Sequence, residues 1–241
     1  MKSKRSGKRT SRQQRRNLYP YLLTHGSLTL VAARLRALPG LKSMESLEQR
    51  VQRVLQEDIA VVPYDASWPQ RFREEEAHLR TVLPSELVGR IEHFGSTAVP
   101  GLAAKPILDL LIEVRDLEAT RARIAPILET EGYDYFWRPT FGDDVPPFYA
   151  WFIKRNRPGG VRTHHLHMIT TAPEFREHWE RLRFRDYLRA HPDVARDYGE
   201  LKFRLASKHG HDRVAYTHGK SEFIKDVMEK AGASMQHHPP G

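Results

Sequence analysis

Two textures divide the chain. From Asp58 to Thr170 the apolar residues come in short runs broken by proline, glycine and charge. Beyond Ala172 they recur every three or four positions. Short bounded runs are the mark of strands, and a three-to-four spacing is the mark of helices. Strands are therefore expected at Ile59–Val62, Ile91–His93, Pro106–Val114, Tyr133–Trp137, Phe148–Lys154 and Val161–Thr170. Two helices are interleaved with them. One follows the Pro63–Pro69 turn and runs to about Val82, with Trp68, Phe72, Leu79 and Val82 on one face and Pro84 as its stop. The other spans Asp116–Glu131, with Leu117, Ile124 and Leu128 inward. Arg138–Pro147 reads as a polar loop and Asn156–Gly160 as a turn. In the second half the stripes are Phe175/Trp179/Leu182, Val194/Tyr198/Leu201/Leu205 and Tyr216/Gly219/Phe223/Val227, divided by Pro192 and Gly210. Interleaved strands followed by a helical block predict an α+β (mixed α/β) fold with a helical C-terminal part.

Before Asp58 the pattern differs again. Leu30, Ala33, Leu35 and Leu38 form one stripe and Leu47, Val51, Val54 and Leu55 another, around Pro39-Gly40, so residues 17–57 are expected to form a short helical extension. Residues 1–16 hold eight basic side chains among Ser, Gly, Gln and Thr, with nothing to bury, and are expected to be a disordered basic arm. The tail at 233–241 should fray.

Charge sharpens that division. The chain of 241 residues has a formal net charge of +9, yet eleven of its Lys and Arg lie in residues 1–44, where there is no acid. The remainder carries 28 basic and 30 acidic residues, a net of −2. The folded body is therefore nearly neutral and lacks the basic surface of a dedicated nucleic-acid binder. The arm reads either as a solubilising tail or as the part that contacts RNA or an acidic partner by phosphate neutralisation. The absence of cysteine excludes thiolate catalysis, disulfides and Cys-based zinc sites, and fits a cytoplasmic location. No apolar run approaches the roughly 18 residues of a membrane span, and no secretory signal follows the basic start, so no membrane partner is expected.

Candidate chemistry concentrates in two stretches. In IEHFGSTAVPGLAAKPILDLLIEV, Ile91–Val114, the Gly95-Ser96-Thr97 turn between two strands lets backbone approach a ligand closely. Amide groups at the start of a short helix there would suit a phosphate. Asp109 lies in an otherwise apolar strand, where a carboxylate needs a cation or a hydrogen-bond partner. In RTHHLHM, alternation puts His165 and His167 on one face and His164 on the other. A His-x-His pair is a plausible chelate for a divalent metal, and also a plausible pair of hydrogen-bonded structural histidines. If the two strands are neighbours, Asp109, His165 and His167 converge. Later, Tyr198/Lys202 and Tyr216/Lys220 each share a helix face, with lysines that either reach a polyphosphate or snorkel to water.

Five segments in order resemble the GrpB family of the nucleotidyltransferase-fold superfamily: VPYDASWPQRF, IEHFGSTAVPGLAAKPILD, THHLHM, FRDYLRAHPDVARDYGELK and AYTHGKSEFI. The resemblance runs over about residues 58–232, three quarters of the chain, and leaves the first 57 outside. It implies a mixed, mainly antiparallel sheet with packed helices and a Gly-Ser turn facing a cleft. It also implies that Gly95, Ser96 and Thr97 hold phosphate, with Lys105, Lys202 and Lys220 balancing its charge. Asp109 would be the catalytic acid and a ligand of Mg²⁺ or Mn²⁺. The superfamily's second acid is replaced here by Leu111, and Glu113, on the same face, lies roughly 13 Å along the strand from Asp109. The ordinary two-carboxylate clamp is therefore missing, and His165 and His167 stand where a third acid would be.

Two readings follow. In the first, a nucleotidyltransferase-like protein binds a nucleotide or phosphorylated ligand with a divalent metal and transfers a nucleotidyl or phosphoryl group. In the second, a non-catalytic nucleotide- or RNA-binding module keeps the fold and recruits through residues 1–16. Retention of Ser96, Asp109 and both histidines favours the first; Leu111 favours the second.

Overall fold

A computed structural model of the chain describes residues 59–140 and 145–236. The arm at 1–16, the helical extension at 17–57, part of the loop around residue 142 and the last residues of the tail lie outside this range.

A five-stranded sheet runs in the order β1 (Val88–Phe94), β2 (Leu108–Val114), β5 (Arg162–Ile169), β4 (Phe148–Arg155), β3 (Asp134–Pro139). All neighbouring pairs are antiparallel except β2 and β5, which are parallel. The architecture is thus the expected mixed α+β fold with a mostly antiparallel sheet. Five of the six expected strands form, within three residues of their expected ends. The sixth, at Ile59–Val62, reduces to a single bridge between Val62 and Ala104. Pro63 has no N–H to donate and closes off any extension of that pairing. Ile59 instead donates its backbone N–H to the Gly210 carbonyl.

One sheet face is aliphatic. Leu108, Leu110, Ile112 and Val114 of β2 point into the largest core cluster with Phe152, Leu166 and Met168. Helix α1 (Trp68–Val82) closes over it with Trp68 and Leu79 buried. It starts with a proline in its first turn and ends at Leu83, which is extended ahead of Pro84. Next to it lie α2 (Leu117–Ala119) and α3 (Ala125–Thr130), joined through a π turn at Thr120–Ile124 and bringing in Ile124 and Leu128. Asp116 caps this segment by accepting the Ala119 N–H at 2.6 Å.

The other face holds the chemistry. It carries Asp109, Leu111 and Glu113 from β2 and His165, His167 and Ile169 from β5. A one-residue slip of β2 would expose four aliphatic side chains and bury Asp109, so the alternation fixes the register. Much of this face is covered by α4 (Arg176–Ala190), whose Trp179 and Leu182 pack on Phe94, Leu111, Tyr149 and Trp151. Helices α5 (Pro192–His209), α6 (Arg213–His218) and α7 (Ser221–Gln236) complete the C-terminal block. α7 persists to Gln236, beyond the point where fraying was expected. The block packs through Leu188, Ala195, Tyr198 and Val227 onto Val99 and Leu102, so its core is built around the chain that follows β1. Arg185 adds a polar tie from α4, donating to Glu92 at 2.8 Å and to the His93 carbonyl at 2.8 Å. No helix among the described residues is long and apolar enough to cross a membrane.

Candidate functional site

The parallel pairing of β2 with β5 places Asp109 opposite His165 and Leu111 opposite His167. The two strands expected to be neighbours are therefore neighbours, and in the register that brings the candidate ligands together. One donor atom from each of Asp109, His165 and His167 can be chosen so that all lie within 4.8 Å of one another. His164, on the opposite face, hydrogen-bonds Thr163 instead.

His165 Nδ1 lies 3.1 Å from Asp109 Oδ1. An imidazole that donates from Nδ1 keeps its lone pair on Nε2, and His165 Nε2 is buried with no hydrogen-bond partner. Burial pulls the His165 pKa down to about 4 against the opposing pull of Asp109. Burial and the Arg181 charge hold His167 well below the usual imidazole range. Both rings are thus neutral at pH 7, the form in which imidazole binds metal. His167 Nδ1 sits 3.3 Å from Tyr149 Oη, with the Phe94 ring edge-on at 5.2 Å. Asp109 is less enclosed than its apolar strand implies: its side chain is 29% exposed, so it faces the cleft and not the core.

Gly95 is fixed by two independent demands. Its φ of +72° with ψ of −172° is open only to glycine. A Cβ built there would lie 2.5 Å from Asp109 Oδ2. The turn and the carboxylate are therefore in contact. Ser96 opens the 3₁₀ turn Ser96–Ala98 and lines the adjoining pocket. Thr97 is different, because its side chain is buried. Its hydroxyl lies 3.0 Å from His93 Nε2 and 3.4 Å from the Ile107 carbonyl that it donates to. Of the two hydroxyls in the turn, only that of Ser96 faces the pocket.

All three candidate lysines converge here. Burial, then the Lys220, Arg213 and Arg162 charges, push Lys105 down to about 7 against the pull of Asp109. Lys220 is pushed down to about 8 by burial, with Asp109 opposing and Arg213 assisting, and its Nζ lies 4.5 Å from the Tyr216 ring centroid. Lys202 is 3% exposed and its Nζ has no hydrogen-bond partner. It rests 4.7 Å from the Tyr198 ring centroid and is pushed down to about 6 by burial, then by Lys220 and Lys105. Tyr198 and Lys202 share a face of α5 as the four-residue spacing requires, whereas Lys220 lies in the turn after α6, past the end of the helix that carries Tyr216. The cluster has more positive charge than Asp109 alone offsets.

Beside the turn lies a pocket of about 200 Å³ between β1, α4, α5 and α7, walled by Phe94, Val99, Phe184, Leu188, Tyr198 and Ile224 and reached by Ser96 and Lys220. Its residues come from distant segments, and no local sequence signal joins them. Trp151 is likewise unmarked by the sequence. It occupies the position on β4 opposite His167, 5.1 Å from the His165 ring, with a buried indole N–H that has no partner. Alternation on β4 gives its face once the sheet order is known, and that order was the missing piece.

Glu113 does not join the ligands. It pairs with Arg90 at 3.2 Å and packs on Gly89, farther along β2. Leu111 is fully buried in the cluster under α4. The position two residues beyond Asp109, where the resemblance implied a second acid, is therefore a core position here.

Comparison with known proteins shows the family to which this fold belongs. The family model described as GrpB protein matches residues 58–230. A UPF0157 protein of Pseudomonas aeruginosa is 42% identical over 186 residues, covering 74% of this chain and 70% of its own. The Glutamate-rich protein GrpB of Alkalihalophilus pseudofirmus is 32% identical, covering 72% of this chain and 95% of its own. Among solved structures, the conserved protein GrpB from Enterococcus faecalis superposes with a TM-score of 0.62 at 33% identity, covering 73% of this chain and 99% of its own.

Proposed function

The chain belongs to the GrpB family, and from that footing we propose that it binds a nucleotide or other phosphorylated ligand together with one divalent metal and transfers a nucleotidyl or phosphoryl group from it. The observation that carries this reading is the convergence of Asp109, His165 and His167 beside the Gly95-Ser96 turn, with Lys105 and Lys220 close enough to feel the Asp109 charge. The three residues fit a metal: two neutral imidazoles, one carboxylate, and a buried ring nitrogen with its lone pair unused. A cation held there would supply Lewis-acid polarisation of a phosphoryl oxygen. Imidazole donors favour first-row transition cations over Mg²⁺, so of the two candidates Mn²⁺ is expected to bind more tightly. Ser96 and the turn amides orient the phosphate. Lys105, Lys202 and Lys220 offset its charge and that of the leaving group. The apolar walls exclude water from the reacting centre.

The test has two stages. Calorimetry should show Mn²⁺ binding to the wild type that Asp109→Asn or His165→Ala abolishes and His164→Ala leaves intact. Labelled nucleoside triphosphates with Mn²⁺ should then release pyrophosphate. Failure of Mn²⁺ to bind, or binding indifferent to His165, defeats the metal assignment.

The second reading, a non-catalytic module recruited by residues 1–16, has one observation in its favour: the burial of Leu111 leaves no second carboxylate beside Asp109. It predicts nucleic-acid binding that collapses with salt and disappears when residues 1–16 are deleted. Equal binding by the truncated chain would rule it out.

A further inference from the structure

We infer that the pocket beside the Gly95-Ser96 turn seats an apolar group of the phosphorylated ligand, a benzene-sized ring or a short alkyl branch, in preference to a purine or pyrimidine base. This rests on the phosphate-binding reading above and narrows its substrate class from nucleotides to phosphate esters of small apolar alcohols, so of the two transfers proposed it favours the phosphoryl one.

Three observations support it. The first is contact between two unlike regions. Ser96 and Lys220 both line the pocket, so the space that holds an apolar group opens onto the groups that would hold its phosphate. The second is size. An engineered cavity of roughly 150 Å³ takes benzene, and this one measures about 200 Å³. It therefore has room for one ring, and it opens to solvent on one side. The third is the character of the walls. Val99 and Leu188 are each 1% exposed, and Phe184 meets Tyr198 edge-on at 5.3 Å. Most of the surface presented to an occupant is apolar, with Arg181, Thr217, His218 and Ser221 also in the lining. A nucleobase brings ring nitrogens and exocyclic groups that each need a partner. Every one left unpaired costs roughly fivefold to a hundredfold in affinity. An apolar occupant has no such penalty and gains roughly fourfold per buried methylene.

The experiment is a calorimetric series on the full chain with Mn²⁺, using inorganic phosphate, methyl, propyl and phenyl phosphate, and adenosine monophosphate. Propyl phosphate should bind roughly fifteenfold tighter than methyl phosphate, from two added methylenes. Phenyl phosphate should bind at least tenfold tighter than adenosine monophosphate. Ile224→Trp should fill the pocket and flatten the alkyl series; Ile224→Ala should enlarge it and shift the optimum to a bulkier group. Inorganic phosphate binding with a flat series, or with adenosine monophosphate matching phenyl phosphate, overturns this inference alone. No binding of any phosphate overturns the phosphate reading and this inference with it.

Discussion

Lys202→Met isolates the energetic cost of the lysine cluster. Lys202 lies on α5, 3% exposed, with no hydrogen-bond partner for its amine. Its folded pKa is about 6, against the ordinary 10.5. Burial is the main cause, so the unfolded chain holds a proton that the folded chain has released. Between pH 7.5 and 9.5 that difference is close to one proton. Stability then rises with pH by about 1.4 kcal/mol per unit from this side chain alone. The sign follows from the depression of a basic group. The destabilisation is complete below about pH 6 and vanishes above the unfolded value. Holding the amine neutral at pH 7.5 costs at most about 4 kcal/mol, three units at the same rate. Methionine fills similar space without an ionisable group. Lys202 is not among the causes that shift Lys105 or Lys220, so their own contributions should persist. Guanidinium denaturation of both proteins at pH 7.5, 8.5 and 9.5 gives the readout. The slope of stability against pH should fall by about 1.4 kcal/mol per unit in the variant, and the variant should be the more stable protein at pH 7.5. Parallel slopes would refute the claim that Lys202 is buried as an uncompensated amine. They would also remove the argument that this cluster awaits an anion.

Further outcomes follow from single contacts. Gly95→Ala should lose roughly 1–3 kcal/mol of stability in a thermal melt from its backbone conformation alone. Because its Cβ would lie 2.5 Å from Asp109 Oδ2, the same variant should lose Mn²⁺ affinity in a titration. Leu111→Asp should not create a two-carboxylate clamp. It places a charge in a fully buried position under α4, so denaturant melts should show a loss of several kcal/mol with no gain in metal stoichiometry. Glu75→Gln should cost roughly 3 kcal/mol, because Glu75 is buried and takes both the Lys154 ion pair and the Tyr133 hydroxyl. Those partners bridge α1 to β3 and β4 on the far face, so Mn²⁺ binding by this variant should match the wild type.

The site was legible where its chemistry depends on local spacing. His165 and His167 share a face because strands alternate, and Lys202 lies against Tyr198 because helices repeat every 3.6 residues; Lys220 reaches Tyr216 from the turn after α6 instead. Gly95 was legible as a permissive turn, but not as the residue that makes room for Asp109. That contact depends on β1 pairing with β2, which sets Phe94 opposite Asp109. Non-local pairing also decides what was missed. The apolar pocket draws its walls from residues more than a hundred positions apart, and Trp151 reaches the site only because β4 lies beside β5. The Thr97 side chain depends on non-local contacts too: the fold hands its hydroxyl to His93 and Ile107. The expected strand at Ile59–Val62 had the right composition, but no neighbour was available past Pro63.

Leu111 ties the fold to the chemistry. In a two-metal site, the second acid must sit two residues along the strand from the first, on the same face. That position is occupied here by α4 and by the aromatic cluster of Phe94, Tyr149 and Trp151. A carboxylate there would be buried among those rings and would lose its hydration. The helix that closes the pocket is thus the element that disfavours a second acid. With that position apolar, the next strand is the nearest source of further ligands. Its parallel register sets His165 directly beside Asp109 and His167 one alternate residue along. Neutral imidazoles can be buried there where further carboxylates would repel Asp109 and each other. If the proposed cation binds, Asp109, His165 and His167 are the group among the described residues that this packing of α4 leaves to hold it.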